Sequence, residues 1–203
     1  SVHDSEMSDQ RHKVGIQFEI PLPVNYTSKS LPTVPYTHTD FAPLRILCRL
    51  LSSKYLLPTV REKGGAYGAG ARLTPSGVIS YFSYRDPKPA QTFNTFDASL
   101  KWVNKGEFTE QDVEEAKLGT FQTIDAPIPP GAQGSRDFLY GITEEEFRDH
   151  RLRLMSVTKE DVVRVASTYL DPNRDVCEGR VLLGSLNEEV GKRSGEKWTV
   201  EKL

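Results

Sequence analysis

The chain has 203 residues, 37% hydrophobic and 27% charged, with 26 basic against 28 acidic side chains and a net charge of -2. That length supports a complete core for one domain, and the charge balance excludes both a disordered chain and an electrostatic nucleic-acid binder. No apolar run approaches the roughly 20 residues that cross a bilayer, so neither nucleic acid nor membrane is an expected partner.

The first residues have no apolar signal core and no initiator Met, so residues 1–13 are expected to be a disordered tail or one that starts at an artificial or processing boundary. Residues 14–203 are expected to form a single domain. Val14, Ile16, Phe18 and Ile20 alternate with Gly15, Gln17 and Glu19, which predicts a half-buried strand. The prolines from Pro21 to Pro43 predict mostly extended loop, with a short edge strand around Pro23-Val-Asn-Tyr26.

Asp40 and Pro43 start a helix expected to run to about Leu57, with Leu44, Leu47, Cys48, Leu51 and Tyr55 at helical spacing. Pro58 is expected to end it, and a short turn then leads to Gly64-Gly65. Ala66 to Leu73 and Val78 to Arg85 flank Thr74-Pro75-Ser76-Gly77 and predict an antiparallel hairpin. Phe93, Phe96, Leu100 and Val103 mark one helix closing near Gly106, and Thr109 to Asp112 reads as a capping box for the next.

The Pro- and Gly-rich stretch Ala126 to Ser135 predicts a surface loop. Helices are expected over Ser135 to Tyr140, from Thr143 to Arg153, and from Thr158 to the stop at Asp171-Pro172. Val176 to Leu183 reads as the final core strand, and Asn187 to Leu203 as a last helix with a loose end. Trp102 and Trp198 are expected to be packing anchors.

Cys48 and Cys177 are far apart and outside any Cys-x-x-Cys spacing, which suggests neither a disulfide framework nor a cysteine zinc site. The four histidines are scattered, and Glu146 with His150 falls short of the three protein ligands of a catalytic zinc. That pair reads as a helix-surface contact, and the residues assign no metal to this chain.

The unusual stretch is Val60-Arg-Glu-Lys-Gly-Gly-Ala-Tyr-Gly-Ala-Gly-Ala71, whose glycines are costly in a strand and imply close backbone approach. It is not a dinucleotide fingerprint, because Leu73 stands where a third glycine is needed. One reading points Arg61 and Tyr67 into a common site. A guanidinium fork and a phenol there hold a peptide carbonyl or a developing oxyanion, while Gly64, Gly65, Ala66 and Gly68 let a substrate backbone lie close. The other reading is a surface arginine and a core tyrosine flanking a helix-packed, glycine-rich strand.

Arg61-Glu-Lys-Gly-Gly-Ala-Tyr-Gly-Ala-Gly70 resembles the C-terminal half of the pitrilysin-type zinc metallopeptidases. Its Gly-Gly-Ala-Tyr-Gly form is similar to the presequence-degrading mitochondrial branch. The likeness extends across Phe18 to Tyr26, Tyr81 to Pro87 and the helices to about Leu170. It implies an α+β fold, a mostly antiparallel sheet with helices packed on one face, of the pitrilysin and processing-peptidase-like kind. It also implies that this is the last of four domains around a closed chamber, and that the family's substrate-binding Arg and Tyr fall on Arg61 and Tyr67.

The family's inverted His-x-x-Glu-His motif has no counterpart in the chain. The resemblance therefore implies zinc in the N-terminal half of the same polypeptide, none bound by this chain, and no activity of the fragment alone. Short unstructured peptides such as cleaved targeting sequences are the implied substrates of an ATP-independent endopeptidase in the mitochondrial matrix. The alternative is a noncatalytic, processing-peptidase-like scaffold or a peptide-binding subunit.

Overall fold

In the computed structural model, which describes residues 13–127, 139–193 and 195–203, the turn at Thr74 to Gly77 closes the expected hairpin. Its strands are β3 (Gly68–Leu73) and β4 (Val78–Asp86), and Gly77 takes φ +88, with the Val34 carbonyl 2.3 Å from where a Cβ would stand. With β1 (Lys13–Glu19), β2 (Asn25–Pro32), β5 (Glu178–Gly184) and β6 (Lys197–Lys202) they form a six-stranded sheet in the order β3-β4-β2-β5-β1-β6. The pairs β3-β4, β4-β2 and β2-β5 are antiparallel, whereas β1 lies parallel to both β5 and β6.

The helices cover one face, as expected. They are α1 (Phe41–Leu50), a wider π-type continuation over Leu51–Lys63, α2 (Pro89–Asp97), α3 (Ser99–Lys105), α4 (Glu110–Ile124), α5 (Glu144–Ser156), α6 (Lys159–Tyr169) and the short α7 (Glu188–Gly191). Capping boxes at Thr109/Asp112, Thr143/Glu146 and Thr158/Asp161 open α4, α5 and α6. Leu44, Leu47, Leu51, Phe93, Phe96, Val162 and Val165 bury against the inward sheet residues Leu31, Ile79, Tyr81 and Leu182. No described helix is long and apolar enough to cross a membrane.

Several expectations are corrected. The helix begun at Phe41 continues past Pro58 to Lys63, because Leu56 and Val60 are both buried and π-type turns accommodate the missing proline N–H. Strand β2 is central rather than a loop with an edge strand. Its inward side chains Thr27 and Lys29 are polar and disguise it, but Thr27 shares a 2.6 Å hydrogen bond with Ser83 and Lys29 pairs with Asp97 at 2.8 Å. The helix expected across residues 93–103 breaks at Ala98 into α2 and α3.

Strand β1 presents the opposite face to the one its pattern suggests. Gly15 and Gln17 turn inward, while Val14 is 39% exposed and Ile16 and Phe18 are half-buried on the open side. The Trp198 ring fills the space where a Gly15 side chain would project, 2.2 Å from its ideal Cβ. Gln17 exchanges hydrogen bonds with the Asn187 backbone, both at 3.1 Å. The expected loose end accordingly folds back as β6, with Trp198 over Phe93 and hydrogen-bonded to Glu196 at 2.8 Å.

The Glu146–His150 surface pair does not form: Glu146 closes its capping box and His150 is buried between Tyr36 and Phe41. The loop at residues 126–135 and the helix at 135–140 lie largely outside the described residues, as do residues 1–12.

Candidate functional site

The π-type helix delivers Arg61 to its last turn. The Gly65 N–H donates to the Arg61 carbonyl at 2.9 Å and the Ala66 N–H to the Val60 carbonyl at 3.1 Å, so the chain reverses tightly before entering the sheet. Gly64 is required by this turn, since a Cβ there would stand 2.4 Å from the Val60 carbonyl oxygen. Gly65 takes φ +86, the left-handed region that glycine occupies without strain. Ala66 is buried and joins the core.

Tyr67 follows, its N–H bonded to the Tyr84 carbonyl at 3.2 Å and its side chain 63% exposed, which removes the core-tyrosine reading. Its ring lies 5.6 Å from that of Tyr84, and the Arg85 guanidinium sits 5.7 Å over it. Arg61 is exposed as well, and neither its guanidinium nor the Tyr67 hydroxyl has a hydrogen-bond or ion-pair partner among the described residues. Two donors thus project from a backbone held by hydrogen bonds, with nothing internal to occupy them.

Three residues that sequence reasoning missed position Tyr67. Strand β4 holds a bulge here: between the pairs Thr27–Ser83 and Asn25–Asp86, β2 has only Tyr26 while β4 has Tyr84 and Arg85. Arg85 takes φ +50, the one left-handed non-glycine among the described residues, and this conformation accompanies its placement over Tyr67. Asp86 then anchors the bulge from within, accepting from Ser83 Oγ at 2.7 Å, Thr92 Oγ1 at 2.5 Å and the Lys88 N–H at 2.8 Å. The run Tyr84-Arg-Asp-Pro87 was the only available signal.

The glycines of β3 serve this neighbourhood. A Cβ at Gly68 would meet the Tyr84 ring at 2.4 Å and one at Gly70 the Phe82 ring at 2.9 Å, so both glycines let aromatic rings lie flat over the edge strand. The close approach inferred from sequence is therefore filled internally at Gly64, Gly68 and Gly70. Gly65, with only Pro87 Cγ nearby at 3.6 Å, faces open space. From Tyr67 the open sheet face continues through Tyr84, Phe82, Tyr26, Val181 and Ile16, an aromatic and aliphatic surface with no helix of the described residues over it.

The described residues do not fit a zinc. Among them no three His, Cys, Asp or Glu side chains group closely enough to hold a metal. His150 Nε2 lies 3.3 Å from the Arg45 guanidinium, a cation where a second cation would have to sit. Burial pushes the Cys48 thiol up to about 12, so it resists forming the thiolate that binds metal.

Residues 17–184 match the family described as the PreP C-terminal domain. The chain is 44% identical over 184 residues to a zebrafish (Danio rerio) protein named presequence protease, mitochondrial, covering 91% of this chain and 18% of that protein. A Drosophila melanogaster protein of the same name is 42% identical over 186 residues, again covering 91% of this chain and 18% of its own. Among solved structures, pitrilysin superposes with a TM-score of 0.65 at 14% identity, covering 95% of this chain and 22% of that one. The chain thus spans under a fifth of the length of the two presequence proteases.

Proposed function

The chain belongs to the PreP C-terminal domain family, and from that premise we propose that residues 14–203 are the last domain of a mitochondrial zinc metalloendopeptidase, the part that grips the peptide. Arg61 and Tyr67 donate hydrogen bonds to a carbonyl of the bound peptide, and more strongly to the oxyanion that develops from it, since such donors act where negative charge appears in the transition state. The zinc belongs to residues outside this chain, in the N-terminal half of the same polypeptide, and the fragment by itself is inactive. The substrates are short unstructured peptides such as cleaved presequences, degraded without ATP in the matrix; the relatives' printed name supports both peptide class and compartment.

The observation that carries this reading is the pair of exposed, internally unpartnered donors held on a hydrogen-bonded turn. Ring packing against Tyr84 and the Arg85 guanidinium over the ring limit how Tyr67 moves, which favours a donor placed before substrate arrives. Peptidase assays of Tyr67→Phe and Arg61→Ala in the full-length enzyme test it. Turnover equal to wild type in both variants would leave the noncatalytic scaffold as the better reading.

A further inference from the structure

The open sheet face beside Tyr67 carries a built shelf. Gly68 and Gly70 pair with Tyr84 and Phe82 and have no side chain on this face; the two rings lie over them, 2.4 and 2.9 Å from where a Cβ would stand. The rings are two residues apart on β4, roughly 7 Å at about 3.4 Å per residue. The Tyr67 ring continues the row, 5.6 Å from that of Tyr84. Tyr84 is exposed and Phe82 half-buried, while the glycines beneath them are buried.

A guanidinium closes each end of the row. Arg85 sits 5.7 Å over the Tyr67 ring and Arg72 sits 5.6 Å over the Phe82 ring. Both arginines are exposed, and neither has a hydrogen-bond or ion-pair partner among the described residues. The neighbouring positions of this face on β2 and β4, Tyr26, Ser28, Ser30 and Ser80, supply no carboxylate.

Contiguous apolar rings left uncovered mark a surface that another apolar group completes. This row begins at the ring whose hydroxyl holds the peptide, and that continuity names the occupant as side chains of the same peptide. An extended chain turns every second side chain to one face and advances about 3.4 Å per residue, so the second residue from the bond reaches Tyr84 and the fourth reaches Phe82. Like charge from Arg72 and Arg85 opposes a basic side chain there.

We propose that this shelf selects the peptide: it takes an aromatic or aliphatic side chain at the second or fourth residue on one side of the bond held at Tyr67, and disfavours lysine or arginine at those positions. The proposal rests on the reading of Arg61 and Tyr67 given above. It adds Phe82 and Arg72 as specificity determinants.

The test uses the full-length enzyme and matched peptides cut at a single bond, carrying Phe, Ser or Lys at the second or fourth residue on either side of it. Phe should raise kcat/KM about tenfold over Ser on one side of the bond, the scale of burying part of a ring, and Lys should fall below Ser. Phe82→Ser should bring the Phe-to-Ser ratio at the fourth residue toward one, and Arg72→Glu should reverse the order of Ser and Lys there. Ratios taken within one variant cancel a general loss of activity. Equal kcat/KM for Phe, Ser and Lys peptides in wild type, or ratios retained in both variants, would overturn the proposal.

Tyr67→Phe separates the two readings, because it should lower kcat for every peptide and leave the Phe-to-Ser ratio intact. Unchanged turnover with the ratio kept sinks the donor role alone; lowered turnover with no ratio in wild type sinks the shelf alone. The competing occupant is another part of the polypeptide. Hydroxyl-radical labelling of the full-length enzyme should modify Tyr84 and Phe82 in the free protein and spare them once a Phe peptide with an N-methylated, uncut bond is added; rings protected before peptide is added would overturn the proposal. If Phe82→Ser does not fold, Arg72→Glu, at an exposed position, carries the test.

Discussion

Arg45 and His150, 105 residues apart in sequence, meet at 3.3 Å between guanidinium Nη1 and imidazole Nε2. Both would carry positive charge in mildly acidic water. Here the arginine keeps its charge and the histidine stays neutral: burial first, then Arg45 and Arg153, lower the His150 pKa from 6.5 to about 3. The neutral ring can accept a hydrogen bond from the arginine.

Acid stability should report this directly. With its folded pKa below its unfolded value, His150 binds more protons in the unfolded chain, so its contribution is fully present above about pH 6.5 and is lost as pH falls toward 3. The slope is at most about 1.4 kcal/mol per pH unit. Asp97 and Asp112, each lowered from 3.8 to about 2, and Asp40, also lowered, add their own losses only below about pH 5, leaving the window from 6.5 to 5 to the histidine. Urea midpoints measured across that window should fall with pH in wild type and flatten in His150→Gln; equal slopes would refute the assignment.

Replacing the exposed donors should spare the fold and impair turnover. Tyr67→Phe is expected to cost about 3 kcal/mol of transition-state stabilisation in the full-length enzyme, on the order of a hundredfold in kcat. Arg61→Ala should act in the same direction. Because both side chains are exposed, melting temperatures should change little. A large loss of stability with proportionate loss of activity would mean that these residues support structure rather than substrate.

The two glycines flanking Tyr67 should respond differently to alanine. At Gly64 the new methyl meets the Val60 backbone carbonyl at 2.4 Å, so Gly64→Ala should destabilise by about 1–3 kcal/mol, as overpacking does. At Gly68 it meets the Tyr84 ring, which can swing away, so Gly68→Ala should be cheaper in stability and disturb the support of Tyr67. Chemical denaturation should rank Gly64→Ala as the less stable, and pairing Gly68→Ala with Tyr84→Ala should recover most of its loss. The reverse ranking would be inconsistent with the turn described.

Arg180 is the most consequential buried charge on the helix-covered side. It binds Asp97 at 2.8 and 3.1 Å, contacts Glu178, and reaches Glu196 at 3.1 Å, while Lys29 and Arg193 share the same acids. Glu196 in turn holds the Trp198 indole, tying the network to β6. Removing one partner of such a buried set typically costs about 3–5 kcal/mol, and Arg180→Met is expected to fall there. A loss below 1 kcal/mol would show that the acids redistribute onto Lys29 and Arg193.

What the chain specifies locally was legible in its residues. Capping boxes at Thr109, Thr143 and Thr158, the Pro-Ser-Gly turn of the hairpin and the Gly64-Gly65 stop depend on neighbours within a few positions. Arg61 and Tyr67 could be singled out for the same reason, since one short turn separates them. The support of the site could not: whether Tyr84 and Arg85 form a bulge depends on their pairing with Tyr26, across the sheet.

Alternation in β1 identified a strand but not its covered side, because period two is the same viewed from either face. Trp198 against Gly15 and Asn187 against Gln17, both more than 160 residues away, decide that the polar side turns inward. The same physics made β2 central, since buried Thr27 and Lys29 become acceptable only with Ser83, Asp97 and Glu178 opposite them. Periodicity and capping determined the elements of this protein; which faces they bury was decided by tertiary contacts between distant segments.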